Sequence, residues 1–334
     1  MDSLTQIVLG AAVGEAVLGK KVGNRAMLWG AIAGTIPDLD VIARFLTDTI
    51  TATEMHRGFS HSIVFSVLMA PILGWLVHQI KKRSKVGWKG WAKLFFWGLF
   101  THPLLDAFTT WGTQLFWPFE SRLAFNSIFV IDPLYTVPFL LCLIIAAFKR
   151  KGSLSRKRIN TLGLYLSTGY LALTLLLKWA AHSKITAALE EQNIAYTQMS
   201  TRPAPMNTIL WNANVDAGDR YLIGDYSFFD SKPVQFKVYP KKRAAAIDMI
   251  PKDEVQRLIA VSEGWYILED ENRQWIYNDL RFGLVPIDPE NLQFVFRYKL
   301  NQEPDGSITV QEDRPDTSNM KAVFGTLWER ITGN

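Results

Sequence analysis

Acids and histidines recur in this chain where the neighbouring residues are Leu, Ile, Phe, Trp and Ala. Between Gly34 and Asp132 stand Pro37-Asp38-Leu39-Asp40, His56-Arg57-Gly58-Phe59-Ser60-His61-Ser62, His102-Pro103-Leu104-Leu105-Asp106 and Asp132-Pro133. Ionisable side chains inside or beside membrane-length apolar segments are expensive, so they are kept where they pair or do work. The pattern predicts a polar centre of the kind that holds metal, set into a membrane domain.

Six apolar segments carry that centre: residues 4–18, 26–45, Ile63–Ile80, 91–111, 128–148 and 162–181. At about 15 residues the first is short for a full crossing, and it reads as a tilted or re-entrant helix. Gly10, Gly14 and Gly19 in it permit close helix packing. Pro37 predicts a break in the second, because the residue before a proline avoids the α region. The break puts Asp38 and Asp40 at a helix end. Residues 47–60 read as an exposed polar connection, and the Trp/Phe-rich residues 112–125 suit the membrane interface.

Positive charge gathers at residues 20–25, 81–93 and 149–158. The positive-inside rule makes these clusters cytoplasmic. Asp38, Asp40, His56, His61, His102, Asp106 and Asp132 then all fall toward the opposite face. The net charge of +5 therefore reports membrane orientation, and nucleic acid is not expected as a partner. The amino terminus lacks the basic region of a cleavable signal. Cys142 is the single cysteine, which excludes an intramolecular disulfide and a cysteine-based metal site.

After Ser183 the composition is that of an ordinary soluble domain. Residues 190–208 read as a polar connection. Residues 209–211, 221–229, 234–239, 265–269, 274–278 and 294–300 read as strands, with helices at Asp253–Val261 and Met320–Ile331. The expected architecture is a mainly α polytopic membrane domain of about five to six helices followed by a soluble α+β domain. The domains are residues 1–182 and 183–334, with the second outside the cytoplasm.

His102 and Asp106 lie four apart on a predicted helix, hence on one face. Asp38 and Asp40 can share a cation where Pro37 turns the backbone, and His56 and His61 flank Gly58. Imidazole nitrogen with carboxylate oxygen suits zinc, manganese or iron rather than copper(I). The number of such groups would suit two ions, which can acidify a bridging water and clamp a phosphoryl oxygen. Ordinary roles compete with these. Asp132 reads also as a helix cap or an interfacial acid, His61 as a cap, and Glu15 as a buried hydrogen-bond partner. His78 and His182, near segment ends, read as structural. His102 with Asp106 is the pair least open to such a reading.

On these residues, together with Met1-Asp2-Ser3-Leu4-Thr5, Gly10 and Gly14-Glu15, the first half resembles the membrane-bound metal-dependent hydrolase family. One of that family's names comes from its LexA-regulated members. The resemblance covers roughly residues 1–181, and many relatives carry His at the position of Gln6. The family is distantly similar to the zinc-dependent phospholipase C and P1-nuclease group. The resemblance implies an enzyme that hydrolyses a phosphoester, in a lipid for example, with a metal-activated water at the outer face of an inner membrane. It makes Asp38, Asp40, His56, His61, His102 and Asp106 the metal ligands. Zinc is the expected ion, with manganese as alternative, and Glu15 and Asp132 are the expected catalytic acids or bases. Two other readings use the same residues. One is a metal-ion or proton transporter; the other is a non-catalytic envelope assembly factor whose residues 183–334 bind another envelope protein.

Overall fold

A computed structural model describes residues 1–82, 85–286, 292–313 and 320–333. It resolves into two compact units, one of residues 1–43, 55–177 and 205–208, the other of residues 44–54, 178–204 and 209–334.

The first unit is helical. Its helices are α1 (Ser3–Val22), α2 (Asn24–Thr35), α4 (Ile63–Ile80), α5 (Trp88–Asp106), α6 (Pro133–Phe148) and the first part of α7 (Leu154–Glu191); α3 (Thr49–Met55) lies almost wholly in the other unit. Two 3-10 helices, Pro37–Phe45 and Phe59–His61, follow α2 and precede α4. Small residues let α1 and α2 pack backbone to backbone. A Cβ at Gly10 would overlap the Gly30 carbonyl, and one at Gly14 the Ala26 carbonyl. Gly19 serves otherwise, because the Glu15 carboxylate lies across it. Beneath this pair, Val8, Leu9, Ala12, Leu105, Ile128, Tyr135 and Phe139 form one core, and Leu18, Ala26, Ala70, Val77, Trp91, Leu94 and Phe95 another.

The sequence reading of five to six spans is not supported among the described residues. Among the described residues, α4 and α7 are long and apolar enough to cross a membrane, and α2 with the following 3-10 helix, bent by 44°, makes a third as a broken span. α6 is apolar but only 16 residues long. α1 carries Glu15, Lys20 and Lys21, and α5 carries Lys89, Lys93 and Asp106, which lowers their hydropathy. Most of α1 and about half of α5 are buried by their neighbours. The outward faces are apolar: Val67, Leu68, Ile72 and Trp75 of α4 and Leu134, Val137 and Leu141 of α6 are exposed. Such faces suit lipid better than water.

The second unit holds two four-stranded antiparallel sheets. The first runs β1 (Gln198–Pro203), β2 (Leu210–Asp216), β3 (Arg220–Ser227) and β4 (Phe236–Pro240) in order. The second runs β5 (Tyr266–Glu271), β6 (Gln274–Pro286), β7 (Leu292–Gln302) and β8 (Ile308–Glu312). Ile185 and Leu189, near the end of α7, pack on Ala213, Val215 and Leu222 of the first sheet. Tyr221, Trp265, Ile267, Leu280 and Phe294 join the sheets. The helices α8 (Asp253–Val261) and α9 (Met320–Ile331) stand where the sequence puts them. Two segments read as connections are structured: residues 198–203 form β1, and residues 49–55 form α3, whose Ile50 is buried beside Val255, Leu258, Tyr266 and Tyr277. Arg257 of α8 grips Glu54 with two hydrogen bonds of 2.9 and 2.6 Å and reaches Thr51 at 2.8 Å.

Candidate metal centre

Helix ends bring the polar residues together. Asp38 lies in the turn that follows α2, where Pro37 ends the helix. His61 precedes α4, whose cap is the neighbouring Ser62, its hydroxyl accepting from Phe65 N at 3.0 Å. His61 is thus free of the capping role. His102 and Asp106 occupy the last turns of α5, one helical turn apart.

Two Nε2 atoms and two carboxylate oxygens converge. His61 Nε2 lies 3.4 Å from Asp38 Oδ1 and 3.4 Å from Asp106 Oδ2. His102 Nε2 makes the same two distances, 3.4 and 3.4 Å. The two Nε2 atoms are 3.1 Å apart. A tetrahedral ion with arms of about 2.0–2.1 Å has ligand–ligand edges of roughly 3.3–3.4 Å. Of the four side chains three are 0 % exposed, and Asp38 is 22 % exposed.

Hydrogen bonds fix how the rings face. His102 Nδ1 lies 2.6 Å from the Gly34 carbonyl, which only accepts, so Nδ1 carries the proton. That carbonyl belongs to the last turn of α2 and has no helical partner. His61 Nδ1 meets Ser60 Oγ at 2.9 Å and Asp40 Oδ2 at 3.3 Å, which assigns its proton in the same way. Once His61 gives up its second proton, both Nε2 lone pairs point at each other and at two carboxylates. That arrangement calls for a positive charge between them. Asp106 Oδ2 is buried and accepts no hydrogen bond, its one guanidinium neighbour being Arg57 Nε at 3.2 Å. The donor set fits a divalent cation, and outer hydrogen bonds to Nδ1 are what ligating histidines ordinarily have.

Asp40 and His56 stand one layer out. Asp40 accepts from Arg57 N at 2.8 Å and Ser60 Oγ at 3.1 Å, and lies 3.0 Å from His56 Nδ1. With His61 Nδ1 this fills its lone pairs, so it orients the two imidazoles. Burial holds the His56 pKa below its ordinary value despite Asp40. For His61 burial also lowers the pKa, but Asp106, Asp38 and Asp40 outweigh it and raise the value to about 9.

Asp106 is neutralised from its other side. The Met1 amine and Gln6 Nε2, the latter at 3.0 Å, donate to Oδ1. Arg57 Nε lies 3.2 Å from Oδ2, and its Nη1 donates to Thr109 at 2.8 Å. Gln6, where relatives of the resembled family carry His, therefore orients Asp106. Arg57 was visible in the sequence but had no assigned role there; a positive φ of 58° shows how tightly its backbone is held.

Glu15 and Asp132 do not join the group. Glu15 lies just over three turns into α1, about 18 Å along the axis from Ser3. Its carboxylate is bidentate to buried Arg156, at 2.6 and 2.5 Å. Asp132 caps α6 through Leu134 N and Tyr135 N, at 2.9 and 3.2 Å, and accepts from Tyr170 at 3.0 Å. With their oxygens so occupied, neither is placed as an acid or base for this centre.

Residues 1–185 match the family model described as YdjM inner membrane protein. That is more than half of the 334-residue chain, and the chain belongs to this family. No curated protein and no solved structure matches it.

Proposed function

We propose that this member of the YdjM inner membrane protein family is a membrane-bound, metal-dependent hydrolase of phosphoesters, with a lipid as the substrate class. The reading rests on the cluster of Asp38, His61, His102 and Asp106, whose ligand nitrogen and oxygen atoms all lie within 4.8 Å of one another. These residues would hold the ion, and Asp40 and the Gly34 carbonyl would orient the imidazoles. When bound, the ion supplies an acidified water and polarises a phosphoryl oxygen. Zinc and manganese both accept this donor set.

Approach is from the side of Asp38, the partly exposed ligand. His56, hydrogen-bonded to Asp40 and held neutral at pH 7, is the group placed to take and return a proton. Phe59 and Trp117, 4.9 Å apart, and exposed Phe116 and Phe119 give the neighbouring surface an aromatic character suited to lipid. By the positive-inside rule this end faces away from the cytoplasm, as does the second unit.

Four protein ligands also suit a structural ion, since catalytic sites usually keep a position open. The test is hydrolysis of anionic phospholipid and of a simple phosphodiester by zinc-loaded protein in detergent, with His56→Ala and His61→Ala. The hydrolase reading expects turnover, lost by His61→Ala together with the metal. It expects His56→Ala to retain metal and lose about 100-fold in rate. Metal-dependent melting with no turnover on any phosphoester would assign the ion to stability instead.

A further inference from the structure

The opposite ends of the same helices enclose a second polar feature. A cavity of about 650 Å³ is lined by Lys21, Arg25, Lys81, Lys82, Lys85 and Lys151, with Trp29, Trp91 and Ile80 among its other walls. No acid lines it. None of the six cations forms an ion pair among the described residues, so the concentrated positive charge is uncompensated from within.

Trp91 adds an observation of a different kind. The residue is 1 % exposed, yet its indole N–H has no hydrogen-bond partner. A buried donor left unmet costs about 1–3 kcal/mol. Trp29 packs edge-on against this indole, with ring centroids 6.3 Å apart, and holds it in the wall.

We infer that this cavity binds the phosphate of an anionic phospholipid headgroup. Six cations recognise a phosphate through charge and hydrogen bonding together. The volume lies within the range of small-ligand sites. Lipid is favoured as the source because Ile80 both walls the cavity and is 68 % exposed at the end of α4. Ile72, Trp75 and Leu76 continue the apolar face along that helix. A headgroup in the cavity leaves its acyl chains lying along α4. Basic pockets between helices on the cytoplasmic side are where such headgroups settle. The site stands apart from the metal centre and does not depend on its chemistry.

Native mass spectrometry of the detergent-purified chain, titrated with phosphatidylglycerol or phosphatidylcholine, reads the site directly. The expected result is one tightly retained phosphatidylglycerol and no retained phosphatidylcholine. The triple variant Lys21→Gln/Arg25→Gln/Lys82→Gln should weaken retention on the order of tenfold or more. Lys81→Gln/Lys85→Gln/Lys151→Gln, which removes the other three cations of the walls, should weaken it likewise. Lys157→Gln/Arg158→Gln removes exposed charge of α7 outside the cavity walls, and retention should be unchanged. Equal weakening by this control would mean unspecific attraction and overturn the proposal. So would full displacement of the lipid by millimolar inorganic phosphate, which would make the ligand a soluble phosphate. Retention unaffected by either cavity variant would overturn it as well.

Discussion

Asp40 is the residue whose role the sequence and the structure divide most clearly. One residue from Asp38, it carries the same chemistry and reads as an equal ligand. The fold turns it instead toward the Nδ1 atoms of His56 and His61. Spacing identifies residues that are near one another but does not say which layer each occupies. Asp40→Asn should therefore keep the fold and weaken zinc binding about 10- to 100-fold, read by chelator competition. The raised pKa of His61, about 9 against an ordinary 6.5, gives a second expectation. In metal-free protein the proton's contribution to stability is complete below pH 6.5 and lost as the pH rises through about 9. Metal must displace that proton, so its affinity should fall roughly tenfold per pH unit on going down from pH 9. A pH-independent affinity between pH 6 and pH 9, measured by calorimetry in two buffers, would mean that His61 is not a ligand.

At the scale of elements, helix and strand positions were legible wherever periodicity and composition agreed. The break at Pro37, the helix at Asp253–Val261 and strands β2 to β7 follow from local signals, whereas β8 at Ile308–Glu312 was not read. Glu15 was not legible, because its partner lies 141 residues away on α7. Chain-distant pairing leaves no local trace. With side chains only 6 % and 3 % exposed, the Glu15–Arg156 pair is buried. Glu15→Gln leaves Arg156 charged and unmatched, which should destabilise by about 3–5 kcal/mol, whereas Glu15→Leu/Arg156→Met should recover most of that loss. Thermal melting of both variants decides it. If Glu15→Gln instead melted like the parent and lost only activity, the pair would not be structural.

For the whole molecule, the reading of five to six spans counted apolar segments without weighing the charges within them; among the described residues two helices, or three with the bent pair, are long and apolar enough to cross a membrane. α1 and α5 are apolar enough to be buried and too charged or too rich in glycine to face lipid. Hydropathy also does not show which unit a short polar segment joins. Residues 44–54 stand in sequence between Asp40 and His56, yet they belong to the second unit, where Ile50 is 2 % exposed. Ile50→Ala should destabilise that unit by about 2–5 kcal/mol. Arg257→Ala, removing a half-exposed ion pair with Glu54, should cost about 1 kcal/mol or less. Hydrogen exchange across residues 178–334 separates the two, and an equal effect would contradict the assignment of Ile50 to the core. The central claim is that four side chains from three parts of the first unit hold one ion. Elemental mass spectrometry of protein purified without chelator, beside His61→Ala and His102→Ala, tests it most directly. The account predicts about one zinc or manganese per chain, absent from both variants while each still folds. An intact protein that stays metal-free after both ions are supplied would contradict it.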